Sequence, residues 1–374
     1  MKKILFITGT RADYGKLKSL ISILKKSKNF SVKILITGMH LMKEFGDTYT
    51  EVENDFSSMT FKSSNQKPGD SMSTILSNSI KIFSQTIKLV KPDMIIVHGD
   101  RVEALAGAVS GALMNILVGH IEGGEVSGTI DESIRHAVSK FAHIHFVSNE
   151  GAKRRLIQLG EISSSIFIIG SPDLDFIFKK SSLSFSEVLQ RYEISFNNFG
   201  ILLYHPVTTE YKLIKKNAKL LVTSIINSNK NFVVINPNND HGYHQILDEY
   251  KRFEVYNRIK VYPSIRFEYF IELLKHSKFI IGNSSAGIHE APALGIPSIN
   301  LGNRQSGRFK HNSVLNCDFN EKKIISLINE VSEKNIYFNP TKYFGSGQSD
   351  LIFFKIMKDT KIWNTSIQKK FQDI

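Results

Sequence analysis

Short apolar runs alternate along nearly the whole chain with stretches whose apolar positions recur at helical spacing. In the first half the runs are "ILFIT", "VKILIT", "DMIIVHG", "NILVGH", "HIHFVS" and "SIFIIG". Amphipathic patterns lie between them, at residues 14–28 and 72–90 for example. The runs are continuously apolar rather than alternating, as expected for strands covered on both faces. Strand and helix in alternation predict a parallel, doubly wound sheet. After "GSPDLD" (170–175) the pattern pauses in the polar stretch "KKSSLSFSE". It restarts with "GILLYHP", "NFVVINP", "RIKVYP", "KFIIGNSS" and "IPSINLG". The expected fold is α/β with two Rossmann-like domains, residues 1–174 and 175–350. A helical tail over 351–374 is expected to pack back on the first domain.

Composition changes this picture little. A length of 374 residues suits two domains at about 150 residues each. Of these residues 41% are hydrophobic and 22% charged, enough for ordinary cores. The net charge of +13 raises the question of an anionic partner. Its lysines are scattered, as in "KLKSLISILKKSK", and do not interleave with aromatics, which argues against nucleic acid. The single cysteine, Cys317, excludes an internal disulfide framework and fits a reducing compartment, so a cytoplasmic location is expected. The opening apolar run stops at Arg11, too soon for a signal peptide. The weakly polar stretch 104–119 falls short of the ~20 residues of a membrane span and reads as a helix followed by a strand.

Ligands of open α/β sheets bind beyond the carboxyl ends of the strands, so the polar residues that follow each run are the ones to inspect. In "ITGTRADYGK" Arg11 is a phosphate clamp candidate and Asp13 a group to orient it, although neither a Walker loop nor a G-x-G-x-x-G fingerprint is present. In "HGDRVEALAGA" Asp100 stands at a strand end, where it could also cap the next helix, and Arg101 beside it could hold a phosphate. The stretch "HIEGGEVSGTIDESIRH" gathers Glu122, Glu125, Asp131 and Glu132 beside Arg135. Taken alone it reads as a solvated turn and helix cap, with Arg135 pairing Asp131 at i,i+4. His205 ends a strand of the second domain in "YHPVTTE". In "IIGNSSAGIHEA" Gly282, Ser284 and Ser285 form a turn into a helix start, with Glu290 about one turn into that helix. Hydroxyls and N–H groups there suit an anion, and a carboxylate suits a ribose diol. Arg304 and Arg308 in "GNRQSGR" are further anion-binding candidates. Metal-ligand spacings of the H-E-x-x-H, C-x-x-C or EF-hand kind are missing, which points to a site without metal or cofactor.

Together these loops closely resemble the hydrolysing UDP-N-acetylglucosamine 2-epimerases of sialic-acid-type pathways, from residue 4 to about 310. The related non-hydrolysing epimerases carry proline after the first-loop arginine, where this chain has Ala12. The resemblance implies a glycosyltransferase-B type fold with its active site in the interdomain cleft. It also implies conversion of UDP-N-acetylglucosamine and water to N-acetylmannosamine and UDP, and a homodimer. Asp100, Glu122 and Asp131 fall on the family's catalytic carboxylates, and His205 on its histidine near the diphosphate. Arg11, Arg101, Ser284, Ser285 and Glu290 fall on nucleotide-contacting positions. Asn238 and Asp240, in "NPNND", fall toward the uridine. Gly15 stands where close relatives often have serine. A 2,4-diacetamido-trideoxy sugar, a GDP carrier, or glycosyl transfer on the same architecture are the alternatives.

The implied chemistry accounts for the residue types. The C2 proton of the sugar leaves only as the C1–O bond to UDP breaks, giving a glycal. Arginines and helix N–H groups suit the departing diphosphate, and carboxylates suit the proton transfers. Clustered carboxylates repel, so one of them is expected to have a pKa raised toward neutrality.

Overall fold

The structure is a computed structural model that describes residues 1–179, 183–334 and 336–373. The middle of the polar pause, 180–182, lies outside the described residues. The chain forms two compact units. The first contains Met1–Val126, Asp131–Phe178 and Tyr343–Ile374, and the second Ser127–Ile130 and Lys179–Lys342. The second unit therefore ends at 342 rather than 350, and the return to the first begins before any helix does. No helix among the described residues is long and apolar enough to cross a membrane.

In the first unit seven parallel strands run β1 (Lys2–Thr8), β2 (Phe30–Ile36), β3 (Thr60–Lys62), β4 (Met94–His98), β5 (Leu117–Ile121), β6 (Ile144–Val147) and β7 (Ile166–Ile168). Their spatial order is β3-β2-β1-β4-β5-β6-β7, so the winding reverses between β1 and β4. Alternate residues of β1 serve opposite faces. Ile4 and Phe6 pack with Leu17, Leu20 and Leu24 of helix α1 (Arg11–Lys25). Leu5 and Ile7 pack with residues such as Ile75, Phe83 and Ala106. The last two belong to helices over Met72–Val90 and Val102–Leu113. Helix α1 starts at Arg11 rather than 14. Thr10 caps it, accepting from the Asp13 N–H at 3.1 Å, while Asp13 accepts from the Thr10 N–H at 3.0 Å.

The returning segment completes this unit. Its helix Ser349–Lys358 sends Phe353 and Met357 into the α1-side core. Asp175 fixes the start of that helix, accepting from the Ser349 N–H at 2.9 Å and the Ser349 hydroxyl at 2.7 Å. Further along, Lys369 Nζ donates to the carbonyls of Ser139 (3.1 Å), Lys140 (2.9 Å) and Ala142 (2.7 Å), where helix Ile130–Phe141 ends. The same ammonium lies 2.5 Å from Glu161. A helix end carries unsatisfied carbonyls, and one lysine here serves three of them.

The second unit repeats the design with six parallel strands: β8 (Gly200–Leu203), β9 (Phe232–Ile235), β10 (Ile259–Tyr262), β11 (Phe279–Gly282), β12 (Ser298–Leu301) and β13 (Val314–Cys317). Their order is β10-β9-β8-β11-β12-β13, and the reversal falls between β8 and β11. Gly282 ends β11 at φ +139°, and a Cβ there would sit 2.0 Å from the Leu203 carbonyl of β8. Glycine is required for that approach.

Candidate active site

Both winding reversals collect the residues singled out in the sequence. In the first unit, β1 leads to Arg11 and β4 to Asp100 and Arg101. In the second, β8 leads to His205 and β11 to Gly282, Ser284 and Ser285.

At the end of β1 the carboxylate of Asp13 accepts from the N–H groups of Gly9 and Thr10, both at 3.0 Å, and from the Thr8 hydroxyl at 2.5 Å. It shapes its own loop. Arg11 forms an ion pair with Glu51 of helix Tyr49–Phe56.

Asp100 does not cap the helix after β4. The cap position is Arg101, without a side-chain cap bond. Arg101 lies 3.4 Å from the buried Glu103. Asp100 pairs with Arg135, which is buried in helix Ile130–Phe141. Arg135 Nη1 also donates to the Glu125 carbonyl at 3.1 Å. Burial works against the Arg135 charge, but Asp100, Glu125 and Asp131 outweigh it and raise its pKa further. Asp131 sits in the first turn of the same helix, half-buried.

Glu122 follows β5 in the left-handed region, at φ +62°. Its N–H donates to the Phe146 carbonyl of β6 at 2.9 Å, holding this conformation just past the end of β5. Its carboxylate meets Lys16 Nζ at 3.0 Å, His98 Nε2 at 2.9 Å and the Ser171 hydroxyl. Lys16 also lies 3.1 Å from Asp173, which is fully buried. One ammonium thus stands between two carboxylates, in the role a bound cation would have with that pair.

The remaining acids of the quoted stretch do other work. Glu125 is buried and accepts from Asn149 Nδ2 at 2.8 Å and from the Ser148 hydroxyl. Glu132 pairs with His136 at 3.5 Å. His120 is buried, its Nε2 2.8 Å from the Gly99 carbonyl and its Nδ1 3.1 Å from the Ser139 hydroxyl. Burial holds its pKa down at about 3, so it is a neutral structural group. Asp100 and Glu122 each have a counter-charge of their own, which opposes the mutual repulsion expected from the sequence.

In the second unit the residue after Gly282 organises the loops. Asn283 accepts from the His205 N–H at 2.7 Å and donates to the His205 carbonyl at 2.9 Å. Its own carbonyl accepts from Arg304 Nη1 at 3.3 Å and Gln305 Nε2 at 2.9 Å. His205 Nδ1 accepts from the Asn238 N–H at 3.1 Å, and Asn238 Nδ2 donates to Asp240 at 2.6 Å. Ser284 caps a 3-10 turn over Ser285–Gly287, its hydroxyl accepting from the Ala286 N–H at 3.3 Å. Glu290 is buried and opens the α-helix rather than lying one turn into it. That helix runs only from Glu290 to Leu294, stopped by Gly295 at φ +72°. Its dipole is correspondingly small, so N–H groups of the 3-10 turn are the donors nearest the serines. Ser127–Ile130 of the acid stretch groups with this unit, and the Gly128 N–H donates to the Arg304 carbonyl at 3.0 Å.

Lys16, His98, Ser171, Asp173 and Asn283 were not among the sequence candidates. Lys16 left one trace: it lies on the helical stripe of Leu20 and Leu24, an unusual place for an ammonium.

Comparison with known families matches residues 22–358 to the family described as UDP-N-acetylglucosamine 2-epimerase. The chain belongs to that family. It is 45% identical over 377 residues to a UDP-N-acetylglucosamine 2-epimerase of Neisseria meningitidis serogroup B, covering all of both chains. It is 31% identical to a UDP-N,N'-diacetylbacillosamine 2-epimerase (hydrolyzing) of Legionella pneumophila, over 99% of each chain. Among solved structures it is similar to a UDP-GlcNAc 2-epimerase from Neisseria meningitidis bound to UDP-GlcNAc. That match has a TM-score of 0.77 at 22% identity and covers 95% of this chain and 99% of the other. The likeness extends the family assignment to the fold: two Rossmann-like sheets of the glycosyltransferase-B type. This family member is thus an epimerase-type enzyme whose polar strand ends carry the groups described above.

Proposed function

We propose that this chain is a hydrolysing 2-epimerase that converts UDP-N-acetylglucosamine and water to N-acetylmannosamine and UDP, supplying nonulosonic acid synthesis. The observation that carries the reading is the pairing of Asp100, at the end of β4, with the buried Arg135 of the helix that also bears Asp131. A guanidinium beside a carboxylate favours its ionised form, the form a general base needs, and the same helix carries a second carboxylate in its first turn. Kinship with the Legionella pneumophila enzyme, named as hydrolysing, supports the hydrolytic branch. The nucleotide sugar bound by the Neisseria meningitidis neighbour supports the substrate.

In the first half-reaction a carboxylate removes the C2 proton as the C1–O bond breaks and its electron pair departs with UDP. The product is a glycal. Arg11, Arg101, Arg304, His205 and the serines at 284 and 285 stabilise the diphosphate, Asn238 and Asp240 serve the uridine, and Glu290 the ribose. In the second half-reaction water adds its oxygen to C1, and C2 takes a proton on the opposite face. Asp100 and Asp131 are the proton-transfer groups, and Glu122 steers the water or the cationic centre.

Mass spectrometry after incubation with UDP-N-acetylglucosamine in heavy-oxygen water tests this. The expected result is free N-acetylmannosamine and unlabelled UDP, since C–O cleavage sends solvent oxygen to the sugar. Reversible formation of a UDP-linked epimer, or label in UDP, would overturn it. The Legionella pneumophila relative's name motivates a second substrate, the UDP-linked 2,4-diacetamido-trideoxy sugar, in a parallel assay.

A further inference from the structure

The ends of three neighbouring strands, β9, β8 and β11, meet around one imidazole. Asn283 is 1% exposed and stands one residue beyond β11. The ladder between β8 and β11 ends with Leu203 opposite Gly282. Past that point the Asn283 side chain takes over from the main chain, bonding both the N–H and the carbonyl of His205 at 2.7 and 2.9 Å. An amide offers one donor and one acceptor in a fixed plane, so it can stand in for a strand. Pro206 follows and restricts His205 to extended backbone. The clasp is braced in turn, because the Asn283 carbonyl is held by Arg304 and Gln305.

The ring is fixed from the other side. The Asn238 N–H, just past β9, donates to His205 Nδ1 at 3.1 Å. A main-chain N–H is only ever a donor, so Nδ1 is the acceptor and the proton of the neutral ring is on Nε2. A second proton would have to enter at Nδ1, against that N–H.

We infer that Asn283, together with the Asn238 main chain, holds His205 as the neutral Nε2–H tautomer, a stationary hydrogen-bond donor that does not relay protons. Asn283 is a positioning residue and acts through His205. The inference deepens the proposed function, on which it rests for the identity of the acceptor, a diphosphate oxygen of the leaving UDP. Proton movement is left to the carboxylates.

The amide nitrogen of glutamine reaches the place of Nε2, and that of asparagine the place of Nδ1. With UDP-N-acetylglucosamine as substrate, H205Q should keep kcat within about tenfold, while H205N should lose about 10²–10³-fold, as on removal of one oxyanion donor. Equal activity of the two variants, or a more active H205N, overturns the inference. N283A should lower kcat by about 10–100-fold with KM within about twofold, and should cost nothing further in an H205A background, because both changes remove one element. Full additivity in the double variant would show a general structural role and sink the assignment. The H205Q and H205N pair, which leaves Asn283 in place, covers the case of a poorly folding N283A. Nitrogen-15 NMR of histidine-labelled wild-type protein reads the tautomer without any turnover. A protonated Nδ1 there refutes the inference even in an active enzyme. An inactive wild type with protonated Nε2 would refute the proposed function alone.

Discussion

The two units place their chemistry at equivalent points of equivalent sheets and furnish them differently. The reversal point of the first is surrounded by full charges in pairs: Asp100 with Arg135, Glu122 with Lys16, Arg11 with Glu51. The reversal point of the second is built largely of neutral amides, Asn283, Asn238 and Gln305, arranged about a histidine. Paired charges can exchange partners and protons as a reaction proceeds. Neutral amides hold a geometry and have no proton to give at ordinary pH. The difference teaches that one sheet design serves either task, and that the side chains just past the strands decide which.

Breaking the charged half should have the largest effect. D100N, E122Q and D131N are each expected to cut turnover of UDP-N-acetylglucosamine by about 10²–10⁴-fold, the usual worth of a positioned acid or base. Calorimetric binding of UDP should stay near wild type. Wild-type turnover in any of them would remove that residue from the proton-transfer set. Lys16→Met comes next. It leaves Glu122 and Asp173 buried without their shared ammonium, and urea unfolding at pH 7 should show a loss of about 3–5 kcal/mol. A loss under 1 kcal/mol would mean that the ammonium contributes little.

Acid should separate the halves more gently. Burial holds His40 down from 6.5 to about 4 and His120 to about 3, so both are neutral when folded and charge more readily when unfolded. Their contribution is complete above pH 6.5 and drains as pH falls toward those folded values. H120Q should flatten the fall in stability through this window by about 1.4 kcal/mol per pH unit. An unchanged slope would contradict a neutral His120. The smallest effect belongs to the second unit: S284A removes the cap acceptor for the Ala286 N–H and should cost about 1 kcal/mol in thermal unfolding.

Much of this architecture is legible in the chain. Runs such as "ILFIT" and "GILLYHP" announce strands because both sheet faces are covered, and the helix expected over 72–90 is found at Met72–Val90. Asp100, Glu122 and His205 stand where the sequence placed them, just past β4, β5 and β8. Their partners could not be placed in this way. Lys16 meets Glu122 across 106 positions of chain, and Asn283 meets His205 across 78. Such pairs leave no local pattern, since sheet order alone brings them together. The short α-helix at Glu290 was misjudged for a local reason, a 3-10 turn at Ser285–Gly287 that takes the place of its first turn.

The first unit is interrupted: Phe353, Met357 and Lys369 are translated only after the whole of 179–342. At ribosomal speeds of about 5–20 residues per second, the nascent β1–β7 sheet waits roughly 10–30 s for them. During that wait the apolar face that Phe353 and Met357 later cover is open, and the carbonyls at the end of Ile130–Phe141 lack their ammonium. Apart from Ser127–Ile130, the second unit comes from one continuous stretch, so synthesis supplies all of its strands before the acid-bearing half receives its last helix.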